Sequence, residues 1–328
     1  MHRSALLGTL CLAGLVAGLA RADQPPRVVA SVLPVGAIAA AVMDGVAEPT
    51  VLLEPGASPH AYSLRPSQAQ ALTEADLVLW VGPDLEGFLA RPIEALGGDA
   101  RQVALATVEG MALLPYREGP LFGGDAQDDE DGHAHDDHDQ DDDHAHDADD
   151  GHGHAQGSID GHVWLSPANA RVMAEAIATV LGEVDPGRAQ TYAANAAAFA
   201  ASLDVLEAAI DTALAPVRGR PFVVFHDAYH YFERHFDMEA AGVIHASPEV
   251  QPGAARVAEI QARLATLDAA CVFAEPQFEP RIVETVIEGS NAKSGVLDPL
   301  GGDLTLGPDT YAALLRGIAQ GLADCLGD

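Results

Sequence analysis

A chain of 328 residues with 49 acidic and 17 basic side chains carries a formal net charge of −32, which repels nucleic acid and anionic membrane and raises the local concentration of cations. Its length exceeds what one compact hydrophobic core usually accommodates, so two lobes are expected. Metal ions or cationic ligands are favoured as partners, and nucleic acid is excluded.

The N-terminus reads as a secretory leader. Arg3 is basic, Ala5 to Ala20 are almost wholly apolar, and Ala20-Arg21-Ala22 has the small-x-small pattern of a cleavage site, so cleavage is expected after Ala22. A membrane anchor is the rival, but the apolar run of about 16 residues falls short of the roughly 20 that span a bilayer. No later apolar run approaches that length, so the mature protein is expected to be soluble and exported to the periplasm.

Short β-branched runs then alternate with amphipathic or alanine-rich stretches. Val28 to Val32, Thr50 to Leu53, Leu77 to Val81 and Val103 to Ala106 precede residue 110; Phe222 to Phe225, Val243 to His245, Cys271 to Ala274 and Gly295 to Leu297 follow residue 220. Bounded by Gly, Pro and Asp, these runs predict an α/β protein with parallel sheets. The expected organisation is an N-terminal lobe over 23–184, a linking helix over 185–216 and a C-terminal lobe over 217–328.

The linking helix is announced by Asp185-Pro186, an N-cap followed by proline at the first helical position, and by Tyr192, Asn195, Phe199, Leu203, Leu206, Ile210 and Leu214 at helical spacing up to Pro216. About 30 residues at 1.5 Å each give about 45 Å, a rigid spine between lobes; two shorter helices with a bend are the alternative. From Gly123 to Gly157 Asp, His, Gly and Ala dominate, with no Lys or Arg. Such a segment cannot bury enough apolar surface to order itself and reads as a disordered insertion. It holds His133, His135, His138, His144, His146, His152 and His154, read either as weak secondary metal sites or as part of an acidic solubilising loop.

Outside the leader and the insertion the histidines are His60, His162, His226, His230, His235 and His245. His60 sits in EPGASPHAYSLRPS, after a strand and before a helix whose start is read from Ser67 and Gln70 as a capping box. His162 sits in DGHVWLSP, and His226 closes PFVVF at the carboxyl end of a strand, where open α/β sheets bind ligands. Neutral imidazoles suit zinc, and three leave a fourth tetrahedral position. His226 and His230 share a helix face by spacing, yet His230 is read as surface or packing. Cys11 leaves with the leader. Cys271 and Cys325 are then an even pair in an oxidising compartment, where a disulfide is the default.

Whole motifs carry a stronger signal. GASPHAYSLRPS, GHVWLSP, FHDAYHYFERHF, SPEVQPGA, CVFAEPQF and LDPLG, in this order, resemble the periplasmic zinc-binding proteins of bacterial zinc-uptake ABC transporters. The resemblance runs from Val28 to the C-terminus and takes in the His-rich insertion and the two late cysteines. It implies two α/β lobes joined by a long backbone helix, a zinc ion in the cleft held by His60, His162 and His226, and delivery to an inner-membrane permease, the chain acting as a monomer. It offers Asp298 as a carboxylate ligand. Some members carry Glu directly before the first histidine; Pro59 stands here, which leaves Asp298 or water for the fourth position.

Glu275, at the end of CVFA, is expected either to orient a ligand imidazole or to pair with Arg281. Tyr62 and Trp164 line the cleft or sit in the core. Three other functions compete with zinc uptake. A secreted zinc hydrolase shares the three-histidine set, but the cleft motifs lack an evident general base, H-E-x-x-H or G-x-S-x-G. A manganese-binding protein of the same fold would favour more oxygen donors. An adhesin or metal buffer is the third.

Overall fold

The computed structural model describes residues 24–117, 122, 159–245, 253–267, 269–279 and 281–327. The leader expected over 1–22 and the insertion with its seven histidines lie outside the described residues.

The N-terminal half runs β1 (Val28–Ala30), α1 (Leu33–Val42), β2 (Thr50–Val51), α2 (Pro66–Glu74), β3 (Leu77–Trp80), α3 (Gly87–Leu96) and β4 (Arg101–Ala104). After α4 (Pro167–Val184) and α5 (Ala189–Leu214), the second half runs β5 (Phe222–His226), α6 (His230–Phe236), β6 (Gly242–His245), α7 (Ala254–Leu267), β7 (Cys271–Ala274), α8 (Arg281–Ile287), β8 (Lys293–Val296) and α9 (Thr310–Gly327). The sheets are parallel throughout and have the same topology, β2-β1-β3-β4 and β6-β5-β7-β8. In each, the first strand of the half sits inside, with crossovers leaving in both directions. That arrangement opens a crevice at the carboxyl ends of the strands.

All eight runs of the sequence are strands, and the α/β class with parallel sheets holds. β4 and β8 begin two residues earlier than their apolar runs. Their pairing is set by the neighbouring strands, Leu77 with Arg101 and Cys271 with Lys293. Both are edge strands whose first two side chains face solvent, so side-chain hydrophobicity does not mark where they start.

α5 is a single helix of 26 residues, about 39 Å long, with a 3₁₀ turn at each end, Pro186–Arg188 and Ala215–Val217. Asp185 does not cap its backbone. Its carboxylate instead accepts from the Arg188 guanidinium at 2.9 Å and the Tyr192 hydroxyl at 2.8 Å, so side-chain donors displace the expected N-cap contact. The stretch Pro186–Val217 is long and apolar enough to cross a membrane by length and composition, contrary to the expectation that nothing after the leader would be. Its large apolar side chains Tyr192, Phe199, Leu203, Leu206, Ile210 and Leu214 are buried in the fold, as in the core helix of a globular protein.

One hydrophobic core extends through both halves, from Val28 to Leu326. α1, apolar all round and buried along nearly its whole length, lies at its centre with α4 and α5 against it. α9, the last helix, packs on α5, on β8 and on α1. Two smaller clusters fill the outer face of each sheet. Cys271 and Cys325 form a disulfide that fastens β7 to α9.

Candidate metal centre

β5 is buried along its length because both faces of its sheet are covered, and His226 is its last residue. Its parallel partner β7 ends at Ala274, in a register that pairs Val223 with Val272. Glu275 therefore leaves the sheet beside His226. Its Oε1 lies 2.7 Å from His226 Nδ1 and 3.4 Å from the His226 amide nitrogen. Of the two roles read for Glu275, the imidazole is the partner the structure provides. The Phe278 ring stands edge-on against His226 at 5.8 Å.

His162 is held from the other side. Ser166 caps α4, accepting from the Asn169 amide at 3.3 Å, with Pro167 at the first helical position. The 3₁₀ turn Val163–Leu165 precedes that cap, and His162 opens it. Asp160 Oδ1 accepts from the His162 amide at 2.9 Å and lies 2.7 Å from its Nδ1. Trp164 is core rather than cleft: it is fully buried, donates from Nε1 to the Pro299 carbonyl at 2.9 Å, and offers its own carbonyl to Tyr311.

His60 lies on the loop after β2. Leu52 and Leu53 continue the ladder onto Ala30 and Ser31, and Gly56, at φ 76°, turns the chain in a conformation that favours glycine. The helix that follows starts two residues earlier than expected. Pro66 takes the first helical position and Gln68 Oε1 accepts from the Arg65 amide at 2.7 Å, so the box is built on Arg65 and Gln68. Proline fixes the start, and Ser67 is already inside the helix. Gln68 also donates to the Tyr62 hydroxyl at 2.7 Å, and Tyr62 packs on Phe88.

These three segments converge. One ligating atom from each of His60, His162 and His226 lies within 4.8 Å of the others, with His162 Nε2 and His226 Nε2 at 3.4 Å. The edge of a zinc tetrahedron with three nitrogens is about 3.3 Å for Zn–N bonds near 2.05 Å. His162 and His226 are 2% and 6% exposed, and His60 is partly open. With Nδ1 of both buried rings facing a carboxylate, Nε2 is the nitrogen left toward the cluster, an arrangement that sets tautomer and raises basicity. The cavity there is about 10 Å³, lined by the three histidines with Ser58, Pro59, Glu275, Gln277, Phe278, Pro299 and Leu300. It has room for one ion or one water.

Burial pushes the Asp160 carboxyl up to about 8, opposed by the His162 amide and reinforced by Asp227. Glu275 is also raised, again by burial, against the pull of His226. For His226, burial acts downward but Glu275 outweighs it by charge and hydrogen bond, with Asp227 and Asp160 adding to the rise. A cation between the rings would shift this balance toward ionised carboxylates and neutral imidazoles.

Among the described residues, the ligating atoms that lie within 4.8 Å of one another are those of the three histidines, without Asp298. Its Oδ1 accepts from Gln277 Nε2 at 2.8 Å and the Leu300 amide at 2.9 Å, and its Oδ2 from the Gly302 amide at 2.6 Å, so it ties down its own loop. His230, half-buried, starts α6 away from the triad, and its pKa is lowered, chiefly by burial. Asp160 is the residue that sequence reasoning missed. It stood two positions before His162 in the quoted motif, a spacing at which a carboxylate reaches both the amide and the ring of a histidine.

The model of the family described as zinc-uptake complex component A, periplasmic, matches residues 28–325. A Brucella abortus protein named high-affinity zinc uptake system protein ZnuA is 46% identical over 328 residues, 98% of each chain. A Yersinia pestis protein of the same name is 40% identical over 299 residues, 91% of each. A crystal structure of ZnuA superposes with a TM-score of 0.73 at 24% identity, covering 92% of this chain and all of that one, and so shares the fold. With a match that spans all but the first 27 and the last three of its 328 residues, the chain belongs to the periplasmic component A family of zinc-uptake complexes.

Proposed function

We propose that this protein captures zinc in the periplasm and hands it to the inner-membrane permease of an ABC transporter, holding one ion through His60, His162 and His226. The observation that carries this reading is the meeting of three imidazoles from three separate chain segments within 4.8 Å, two of them braced by buried carboxylates. An all-nitrogen set favours zinc over manganese, which prefers oxygen. The fourth position falls to water or to Asp298, whose three hydrogen bonds leave carboxylate lone pairs open. A chamber of about 10 Å³ suits an ion and leaves no room for an organic substrate, which argues for binding over hydrolysis. The names of the Brucella and Yersinia relatives and the leader-like N-terminus support the same assignment, with the protein acting as a monomer.

The seven histidines of the insertion are proposed as weaker zinc sites, since a composition too polar to form a packed core leaves metal binding to meet the cost of ordering its own ligands, about 1 to 2 kcal/mol of backbone entropy per residue fixed. Metal analysis of protein purified from the periplasm, followed by competition titration with zinc and manganese, tests the main proposal: zinc should be found and should win. Calorimetric titration of a variant lacking residues 123–157 should lose the weak events and keep the tight one. Disappearance of the tight event would move the principal site into the insertion.

The same ligand set makes binding sensitive to acid. Ligation needs a neutral imidazole, and the folded His226 holds its proton to a higher pH than an ordinary histidine. Protons therefore begin to compete above the usual value of about 6.5, and zinc affinity is expected to fall steeply as pH drops from about 7.5 to 5.5. A flat profile across that interval would mean that carboxylates hold the metal.

A further inference from the structure

The chain segments on either side of residues 118–158 meet. Pro115 and Ile159 form an antiparallel bridge, and the Asp160 amide donates to the Leu114 carbonyl at 2.9 Å. Both segments are also bonded to α6, the helix that follows β5 in the other half. The Tyr231 hydroxyl, buried in the interface, donates to the Asp160 carbonyl and accepts from the Leu114 amide, each at 2.9 Å. Two residues on, Glu233 Oε2 accepts from Arg117 Nη1 at 2.7 Å and from the Ala240 amide at 2.9 Å. The same guanidinium grips Asp227, with Nε at 2.9 and 3.1 Å from its two oxygens, while Phe122 stacks on it at 4.2 Å.

The ends of this clamp are the immediate neighbours of two triad members. Asp227 follows His226 directly, and Asp160 is the carboxylate on the His162 ring. Burying one guanidinium with two carboxylates is an expensive way to hold two surfaces together, because apolar side chains of the same volume adhere as well or better. What the charged fork adds is orientation, since a planar guanidinium bonded to two carboxylates has few alternative poses. The hydroxyl of Tyr231, satisfied as donor and acceptor by two backbone groups of the opposing segment, constrains the same register.

We infer that Tyr231 and Arg117 are positioning residues for the metal site: by fastening segments 114–117 and 159–160 onto α6 they preset His162 against His226 at 3.4 Å. The inference rests on the triad being the zinc site. It makes affinity depend on a contact that touches neither the metal nor its ligands.

Tyr231→Phe tests it, because the ring and the charge are kept and only the hydroxyl is lost. In competition with a chromophoric chelator at constant pH, the full-length variant should bind zinc about tenfold more weakly and release it faster, an effect at the low end of that seen for residues directly behind a ligand. Arg117→Lys keeps the charge and loses the fork, and should shift affinity in the same direction. A purely structural role would lower the melting temperature of the metal-free protein and leave zinc affinity within about twofold of the parent; that result overturns the inference. If Tyr231→Phe does not melt cooperatively, Arg117→Lys decides by the same criterion. His162→Ala run in parallel separates the two claims: parental zinc binding there defeats the triad itself, whereas loss there with unchanged Tyr231 and Arg117 variants defeats only the clamp.

Discussion

Replacing His162 or His226 with alanine is expected to weaken zinc binding about a thousandfold or more, about 4 kcal/mol, while folding stays cooperative. Both imidazoles present Nε2 to the same small cavity, and alanine supplies no ligating atom in its place. His60→Ala should cost a similar amount, since it supplies the third nitrogen. A graded series then distinguishes ligation from packing. Asp160→Asn and Glu275→Gln keep shape and burial but alter the charge and hydrogen bonding behind each ring, so about 10- to 100-fold is expected. Competition titration of all five variants, with circular dichroism to verify folding, reads out the series. Should the three alanine variants bind zinc as the parent does, the ion is held elsewhere.

Removing both Cys271 and Cys325, as a double alanine variant, is expected to lower stability by about 4 kcal/mol in the chain-entropy account. The bridge closes a loop of 54 residues and anchors the terminal helix to an inner strand of the second sheet. Zinc affinity should change little. Cys271 opens β7 and Glu275 follows its last residue, which places them about 13 Å apart along an extended strand. Urea unfolding with and without reductant measures the first effect, and the zinc titration measures the second. Coincident unfolding midpoints would show that the bridge contributes nothing to stability.

The strands were legible in the sequence because parallel sheets covered on both faces read as short apolar runs, and α5 because its large side chains recur at helical spacing. What periodicity does not encode is the choice among competing polar partners. Asp185 and Ser67 both carry cap-forming groups, yet Tyr192 and Arg188 claim the first and Pro66 pre-empts the second. Asp298 stands in the motif that suggested a ligand, and its carboxylate also accepts from two amides of its own loop, a second use that no motif announces. The triad residues stood out because each histidine punctuates a loop. Asp160 did not, since nothing in its neighbourhood tells a solvent-facing aspartate from one buried beneath a ring. Only the fold reveals that Tyr231 and Arg117 bring the two halves together there.

α9 follows every other described element along the chain, and yet it packs on α1, near the start of the described residues, and on α5. Until those 18 residues have emerged, the leading half exposes apolar side chains on α1 and α5 that have no cover. An N-terminal fragment ending at α5 would contain a whole sheet and still lack one wall of its core. The order of synthesis therefore works against early collapse. A chain so arranged closes its core only when its late helix docks on its early one, so the two halves complete one another rather than folding as separate units.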